Sequence, residues 1–474
     1  MKNTSNKYAA LLKDTMLFAL SAYLPKLISF FLVPVYTSCL TTYEYGVVDL
    51  IATTISFLVP VLTLGIDNAT LRFTIENKED KRPYQISIKI AIAGIIIVIT
   101  GVLISVSFGA FRLDRVYLWY FLVMYCMRVL YGINTAFIRA EERTILLSSV
   151  SILHAFLVIF SNIVTLVFLK LGIYGYLFSD ILGLVVSNIV IFAKIDIRYL
   201  LKGIWDPFKE LQEKMLRFST PLVVSSIAWW INSASDKYFI LGLCGAAANG
   251  IYSVAYKIPT ILKLMQSVFS QAWLLSIYRE YNTEGGKKYV GKIYDLYNGV
   301  MVMGCSVIIL MNIPLSTFLY AKDFFEAWKY VPALLISMVF IANAGFYESI
   351  LSLYKKSKVL ATTTVAGAIV NIVLNIVLIS KIGVQGAAIA TVVGYFVMWV
   401  VRAPIVHQLY DFQVNWIKHG GLFALLIVQA YVMVRYQNYW VGIILCIMIL
   451  MINLKTIFHV TNEVMEKLFK KIER

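Results

Sequence analysis

The sequence predicts an all-α integral membrane protein of about fourteen transmembrane helices. Three observations lead there. The 474 residues are 60% hydrophobic and 14% charged, with a mean hydropathy of +0.78, roughly half the charged share of an ordinary soluble domain. Apolar runs of about 20 residues, enough to cross a hydrocarbon core of ~30 Å, recur from end to end. The runs lack the alternation of a barrel strand, so their backbone groups must be satisfied within helices.

Taken in order, the runs place helices at roughly 15–39, 47–70, 86–108, 117–138, 145–169 and 173–193. These form an N-terminal lobe over 1–193. The first run follows a basic stretch (Lys2, Lys7, Lys13) and closes without a small-residue cleavage site, so it reads as a retained helix. A polar amphipathic linker spans 194–215. In it, Asp206-Pro207 reads as an N-cap followed by proline at the first helical position. A second lobe over 216–407 holds helices at roughly 216–242, 250–274, 290–313, 329–353, 359–380 and 385–406. Two more, at roughly 417–435 and 438–456, fill 408–459. In the tail, 460–474, Val464, Leu468 and Ile472 recur every four residues among Lys467, Lys470, Lys471 and Arg474. That pattern fits an interfacial amphipathic helix or a solvated basic tail.

The net charge of +16 is explained by topology rather than by a nucleic acid partner. Seven of the 42 Lys and Arg fall in external segments: Arg112, Arg115, Lys170, Lys322, Lys329, Lys381 and Arg435. Six fall inside helices and 29 in cytoplasmic segments, which predicts a multi-pass protein with both termini cytoplasmic. The five cysteines are scattered without C-x-x-C spacing, so neither a metal site nor a disulfide framework is expected. Cys39 and Cys244 occupy equivalent places in the two lobes; two unpaired thiols are expected there, with a cross-lobe bridge the alternative.

The first twelve helices read as a duplication. Lys170-Leu-Gly172-Ile-Tyr-Gly175 opens the sixth helix, and Lys381-Ile-Gly383-Val-Gln-Gly386 opens the twelfth, 211 residues later. Glu44-Tyr-Gly46 and Asn249-Gly250-Ile-Tyr252 match at the second and eighth. Six helices per copy make the copies parallel, a plan that places substrate between halves and suits a transporter.

Entering the second lobe, three segments stand out: Leu216-Arg-Phe-Ser-Thr-Pro221-Leu, Ser235-Asp236-Lys237-Tyr-Phe-Ile, and Gly250-Ile-Tyr252-Ser-Val-Ala-Tyr256-Lys257-Ile. They resemble the polysaccharide-biosynthesis exporters of the MOP superfamily, the Wzx-type O-antigen and exopolysaccharide flippases. The resemblance implies two six-helix lobes in a MATE-like V around a central cavity, with the last two helices outside. It also implies a cargo, an undecaprenyl-diphosphate-linked oligosaccharide carried across a bacterial cytoplasmic membrane. Polymerase and other polysaccharide assembly proteins would then be partners, beside membrane lipids. Lipid II flippases share the fourteen-helix plan, but the arginine cluster of their first two helices is replaced here by Lys26 and Arg72. Multidrug antiporters of the superfamily usually stop at twelve helices and use acidic residues in the first lobe.

No catalytic constellation, metal cluster or phosphate loop is evident, so no enzyme activity and no cofactor is expected. A membrane-embedded glycan polymerase would need a large external loop, and the longest loop is the linker. Energy must come from a gradient, and H+ or Na+ coupling is an open expectation.

Charge inside the bilayer costs about 2.5–3.5 kcal/mol per residue and so marks candidate function. The cations are Lys26, Arg72, Arg128, Lys237, Lys257 and Lys263. Lys26, Arg128 and Lys263 sit near mid-helix; Lys237 and Lys257 lie in the outer half; Arg72 lies near a helix end and can snorkel. Cavity lining and structural ion pairing both remain open for them. By sign, Lys26, Arg128 and Lys263, helped by Lys257, are expected to hold a diphosphate. The acids are Asp67, Asp180, Asp236 and Glu348, and the ion-coupling candidates are Asp180, Asp236 and His154. Asp236 and Lys237 point about 100° apart on a helix and are not expected to pair. Trp229-Trp230 either packs against lipid or stacks on a sugar ring.

Overall fold

The computed structural model describes residues 29–107, 115–196, 200, 202 and 204–454. Lys26, most of the predicted first helix and the basic tail lie outside the described residues. The described secondary structure is helical. Its elements are α1 (Val33–Cys39), α2 (Thr42–Leu62), α3 (Ile66–Glu76), α4 (Arg82–Ser107), α5 (Arg115–Ala140), α6 (Thr144–Asn162), α7 (Gly172–Lys194), α8 (Lys209–Cys244) and α9 (Ala246–Ala255). Then follow α10 (Thr260–Glu280), α11 (Gly286–Leu310), α12 (Asn312–Leu319), α13 (Val331–Leu353), α14 (Ser357–Ile382), α15 (Val384–Leu409), α16 (Trp416–Tyr436) and α17 (Tyr439–Leu454). Among the described residues, ten helices are long and apolar enough to span a bilayer. α8 and α10 are not among them, because both carry charges and hydroxyls along much of their length.

Four local departures from the sequence reading have clear causes. The helix expected over 47–70 is two, α2 and α3, because Gly65 adopts φ +61° and resets the chain direction. The helix expected over 250–274 is also two; the chain turns through Tyr256–Pro259, where proline supplies no N–H to a continuing helix. The fifth helix ends in a π-turn over Ile163–Phe168, which lets Thr165 Oγ1 donate to the Gly175 carbonyl at 3.1 Å. Asp206-Pro207 does not cap α8, which starts at Lys209. Instead the Asp206 carbonyl accepts from Lys89 Nζ at 2.6 Å. By contrast α2 begins in a full capping box, Thr41 and Glu44 bonding each other's backbone N–H.

The chain forms two compact units, Met1–Trp230 and Ile231–Arg474, and the boundary falls inside α8. In the first unit, α6 lies against α7, and α5 packs on α3, α4 and α7. Its centre holds a buried polar chain from Tyr84 through Asn134 (2.8 Å) to Asn188 (2.9 Å). In the second unit, α13 is buried almost all round and α14 and α15 form a close hairpin. Of the last two helices, α16 is joined to α11 by polar contacts, and its Gln429 donates to the Gly442 carbonyl of α17 at 3.2 Å. Asp295 and Asn298 both meet His419, and Ser306 donates to Gln429 at 2.7 Å.

Glycines carry the duplication into three dimensions. Gly172 (φ +54°) and Gly383 (φ +61°) each make the left-handed turn that opens a hairpin's second helix. Three residues on, a Cβ at Gly175 would fall 2.9 Å from Thr165 Cβ, and one at Gly386 would fall 2.4 Å from the Leu378 backbone. A third pair keeps the 211-residue offset: Gly183 lies against Val158 and His154, and Gly394 against Asn371 and Gly367. Both hairpins therefore depend on small residues for close helix contact, as membrane helices commonly do.

Candidate functional site

Each unit gathers acidic and tyrosine side chains from several helices. In the first unit, Arg128 on α5 donates from Nη2 to Asp180 Oδ2 on α7 at 3.3 Å. The bond uses one of five guanidinium N–H donors, and the Arg128 side chain is 42% exposed. Asp180, Arg128, Asp49 and Tyr45 all exert electrostatic influence on Tyr176, whose ring meets Tyr36 edge-on at 5.0 Å. His154 joins the same group: it stacks on Tyr131 at 5.5 Å, interacts with Asp180 and Arg128, and packs against Gly183. Two of the three ion-coupling candidates thus belong to one cluster, together with one candidate cation.

In the second unit, Asp236 on α8 is 2% exposed. Its Oδ2 accepts from Tyr252 at 2.5 Å, Tyr256 at 3.1 Å and Thr391 at 3.5 Å, and its Oδ1 accepts the Lys237 N–H at 3.0 Å. Thr391's one proton is shared with the nearer Ala387 carbonyl at 3.0 Å, but the two tyrosines and the Lys237 N–H suffice to keep the buried carboxyl from being orphaned. Next to it, Ser235 donates to Asn371 Oδ1 (3.4 Å), which also accepts from Asn375 (3.0 Å). Thr391 and Asp180 are themselves 211 residues apart, the repeat offset. The duplicated helix hence supplies an acid in one unit and a hydroxyl in the other.

The remaining cations are dispersed. Arg72 is half-exposed on α3, 3.2 Å from Glu76, with its guanidinium 4.4 Å over Phe218. Lys237 is half-buried on α8; Lys257 lies in the turn between α9 and α10; Lys263 is exposed on α10. Asp67, expected to be buried, is half-buried at the start of α3, beside Asn68.

Two groups escaped sequence reasoning. Arg402, not among the intramembrane cations read from the sequence, is wholly buried within α15. It donates to the Ala344 carbonyl (2.9 Å), Thr363 (3.1 Å) and Thr364 (3.1 Å), with Glu348 Oε2 at 3.7 Å. Glu348 is therefore the half-exposed partner of a buried arginine, not an isolated buried acid. Asp49 was overlooked because it sits one turn into α2, where it reads as a helix-end charge. Its signal was spacing: four residues after Tyr45, it shares that residue's face.

Comparison with known proteins gives concordant results. Residues 11–277 match the family of polysaccharide biosynthesis proteins. Two uncharacterized membrane proteins of Methanocaldococcus jannaschii are similar. One is 26% identical over 48% of this chain and 56% of its own length; the other is 27% identical over 37% and 36%. The chain thus spans about half the length of the first of these relatives and about a third of the second. Among solved structures, the lipid II flippase MurJ in an inward closed conformation superposes over 95% of this chain and 100% of its own. Its TM-score is 0.67 at 12% identity. An inward-facing multidrug resistance MATE family transporter of the MOP superfamily covers 84% of this chain and 98% of itself, with TM-score 0.63 at 14% identity. A MOP superfamily transporter from Pyrococcus furiosus, described as having a binding pocket of reversed polarity, covers 84% and 96% with TM-score 0.58 at 14% identity.

Proposed function

The chain belongs to the polysaccharide biosynthesis protein family, and on that footing we propose that it is a flippase for an undecaprenyl-diphosphate-linked oligosaccharide. Its fold is that of the MOP superfamily transporters, and it is a multi-pass membrane protein. The proposed cycle moves the head group from the cytoplasmic to the outer leaflet of a bacterial cytoplasmic membrane, by alternating access, while the lipid tail stays in the bilayer. The distribution of Lys and Arg supports a cytoplasmic position for both termini.

The observation that carries this reading is Arg128. It is a cation on an apolar spanning helix, partly accessible, with donors to spare beyond its bond to Asp180. A planar guanidinium matches two phosphate oxygens at once, and low surrounding polarity strengthens the contact. Lys26, Lys257 and Lys263 are proposed to contribute to the diphosphate's charge balance, with Arg72 and Lys237 as further cationic candidates. Coupling to H+ or Na+ is assigned to Asp180, Asp236 and His154, of which Asp236 is held by the Tyr252 and Tyr256 hydroxyls. No step in this cycle makes or breaks a covalent bond.

A second reading, multidrug cation antiport, draws support from the acidic residues Asp49 and Asp180 in the first unit. Arg128 weighs against it, because the guanidinium neutralises Asp180 where an organic cation would have to bind.

The test is export of surface polysaccharide in cells carrying single alanine variants of Lys26, Arg128 and Lys263 at normal protein level. Loss of export with accumulation of lipid-linked oligosaccharide inside the cell is expected. Unchanged export in all three would remove the cationic site from the account.

A further inference from the structure

A cavity of about 570 Å³ in the first unit has a chemistry unlike that of the cation sites. It forms where α2 and α3 meet the part of α8 before residue 231. Its α8 wall includes Ser225, Ser226, Trp229 and Trp230, whose spacing of one, four and five residues places them on one helix stripe. Its other wall includes Ser56 on α2 and Asn68 on α3. The left-handed Gly65 makes this meeting possible. It redirects the chain between α2 and α3, and a Cβ there would lie 3.3 Å from Val223.

The cavity is aromatic on one side and rich in acceptors on the other. Trp230 is fixed in place: its indole N–H donates to the Thr53 carbonyl at 3.2 Å and its ring lies 4.6 Å from Phe57. Trp229 presents 37% of its surface. Ser56 donates its hydroxyl proton to the Thr53 carbonyl at 2.7 Å, and Ser226 donates to Leu222 at 3.1 Å. Asn68 Nδ2 donates to Asp67 Oδ1 at 3.3 Å. Asn68 Nδ2 also donates to the Gly65 carbonyl at 3.5 Å, so the protons of all three side chains are engaged within the protein and their oxygens are left as acceptors. No charged residue lines the cavity among the described residues.

An occupant must then bring O–H donors and an apolar face. A phosphate brings only acceptors, and an acyl chain brings no donors. A pyranose ring brings both, with C–H bonds on its face and hydroxyls at its rim. We propose that this cavity is a sugar subsite, in which Trp229 stacks on a pyranose of the head group and Ser56, Ser226 and Asn68 accept its hydroxyl protons. The proposal rests on the flippase reading and separates recognition of the sugar from that of the diphosphate. A pocket of this volume is of the size that holds small ligands.

The test measures binding of two lipids to the full-length protein in nanodiscs: undecaprenyl-diphosphate carrying one hexose, and undecaprenyl-diphosphate without sugar. The wild type should prefer the glycosylated lipid. Trp229→Ala should weaken glycosylated-lipid binding about tenfold, a typical contribution of an aromatic contact, and leave the sugar-free lipid unchanged. Trp229→Phe should keep most of the preference. Equal weakening for both lipids, or none for either, overturns the subsite. If neither lipid binds the wild type, the flippase reading itself fails and the subsite with it.

Discussion

Asp180 Oδ2 accepts the Arg128 Nη2 proton at 3.3 Å, across α5 and α7, with both side chains partly accessible. A pair built only to stabilise a fold would close its surface. This one leaves most of the guanidinium donors beyond the bond to Asp180, on a helix apolar enough to span a bilayer, which is what the proposed anion site needs.

That difference can be measured with a double substitution. Arg128→Ala alone is expected to reduce flipping by tenfold or more at normal protein level. Arg128→Ala with Asp180→Asn removes both charges, so no unpaired ion remains in the bilayer. If the pair is merely structural, the double variant recovers activity. The anion-site account predicts that flipping stays lost while thermal stability recovers.

Asp236 gives a second prediction. Asp236→Asn removes the charge but keeps an oxygen for Tyr252 and Tyr256, so the fold should survive. Flipping by the variant in proteoliposomes is expected to stop responding to imposed Na+ or H+ gradients. A response equal to that of the wild type to both gradients would exclude Asp236 from coupling.

Gly386 tests the hairpin packing. A Cβ there meets the Leu378 backbone, which cannot rotate away, so Gly386→Ala should lower stability by about 1–3 kcal/mol. Gly101 faces open space on α4, and Gly101→Ala should be neutral or stabilising by a few tenths to about 1 kcal/mol. Thermal unfolding in detergent distinguishes the two.

Arg402 gives a stability prediction. Its three short bonds reach α13 and α14, and Arg402→Ala would leave Glu348 without its cation and two threonines without a donor. Breaking such a buried arrangement costs about 3–5 kcal/mol. Arg402→Lys should recover little, because an ammonium cannot fan out to three acceptors. Near-wild-type melting of Arg402→Lys would contradict this.

Much of the architecture could be read in the residues. Apolar run length gives the all-helical membrane class, with ten spanning-length apolar helices among the described residues where about fourteen are expected. Lys170–Gly175 against Lys381–Gly386 gives the duplicated hairpins. What escaped were features fixed by a single backbone torsion or by tertiary contact. The Gly65 reversal looks like a continuing apolar helix, because run length ignores φ. Arg402 looks like a helix-end anchor, because sequence position does not show that α13 and α14 close over it. The candidate cations were identifiable by type, but their partners were not. Arg128 and Asp180 lie 52 residues apart, and only the packing of α5 on α7 joins them.

The membrane potential should assist export, since an anionic head group leaving a negative cytoplasm gains about 2.3 kcal/mol per charge per 100 mV. Depolarisation at constant pH gradient should slow export. An unchanged rate would assign the driving force to ion antiport or to consumption of the flipped product.

The central claim is tested most directly by reconstitution. The protein is placed in liposomes containing undecaprenyl-diphosphate oligosaccharide, and head groups reaching the outside are trapped. The account predicts protein-dependent flipping that falls with Lys26→Ala, Arg128→Ala or Lys263→Ala. Absence of flipping, together with uptake of an organic cation by the same liposomes, would contradict it.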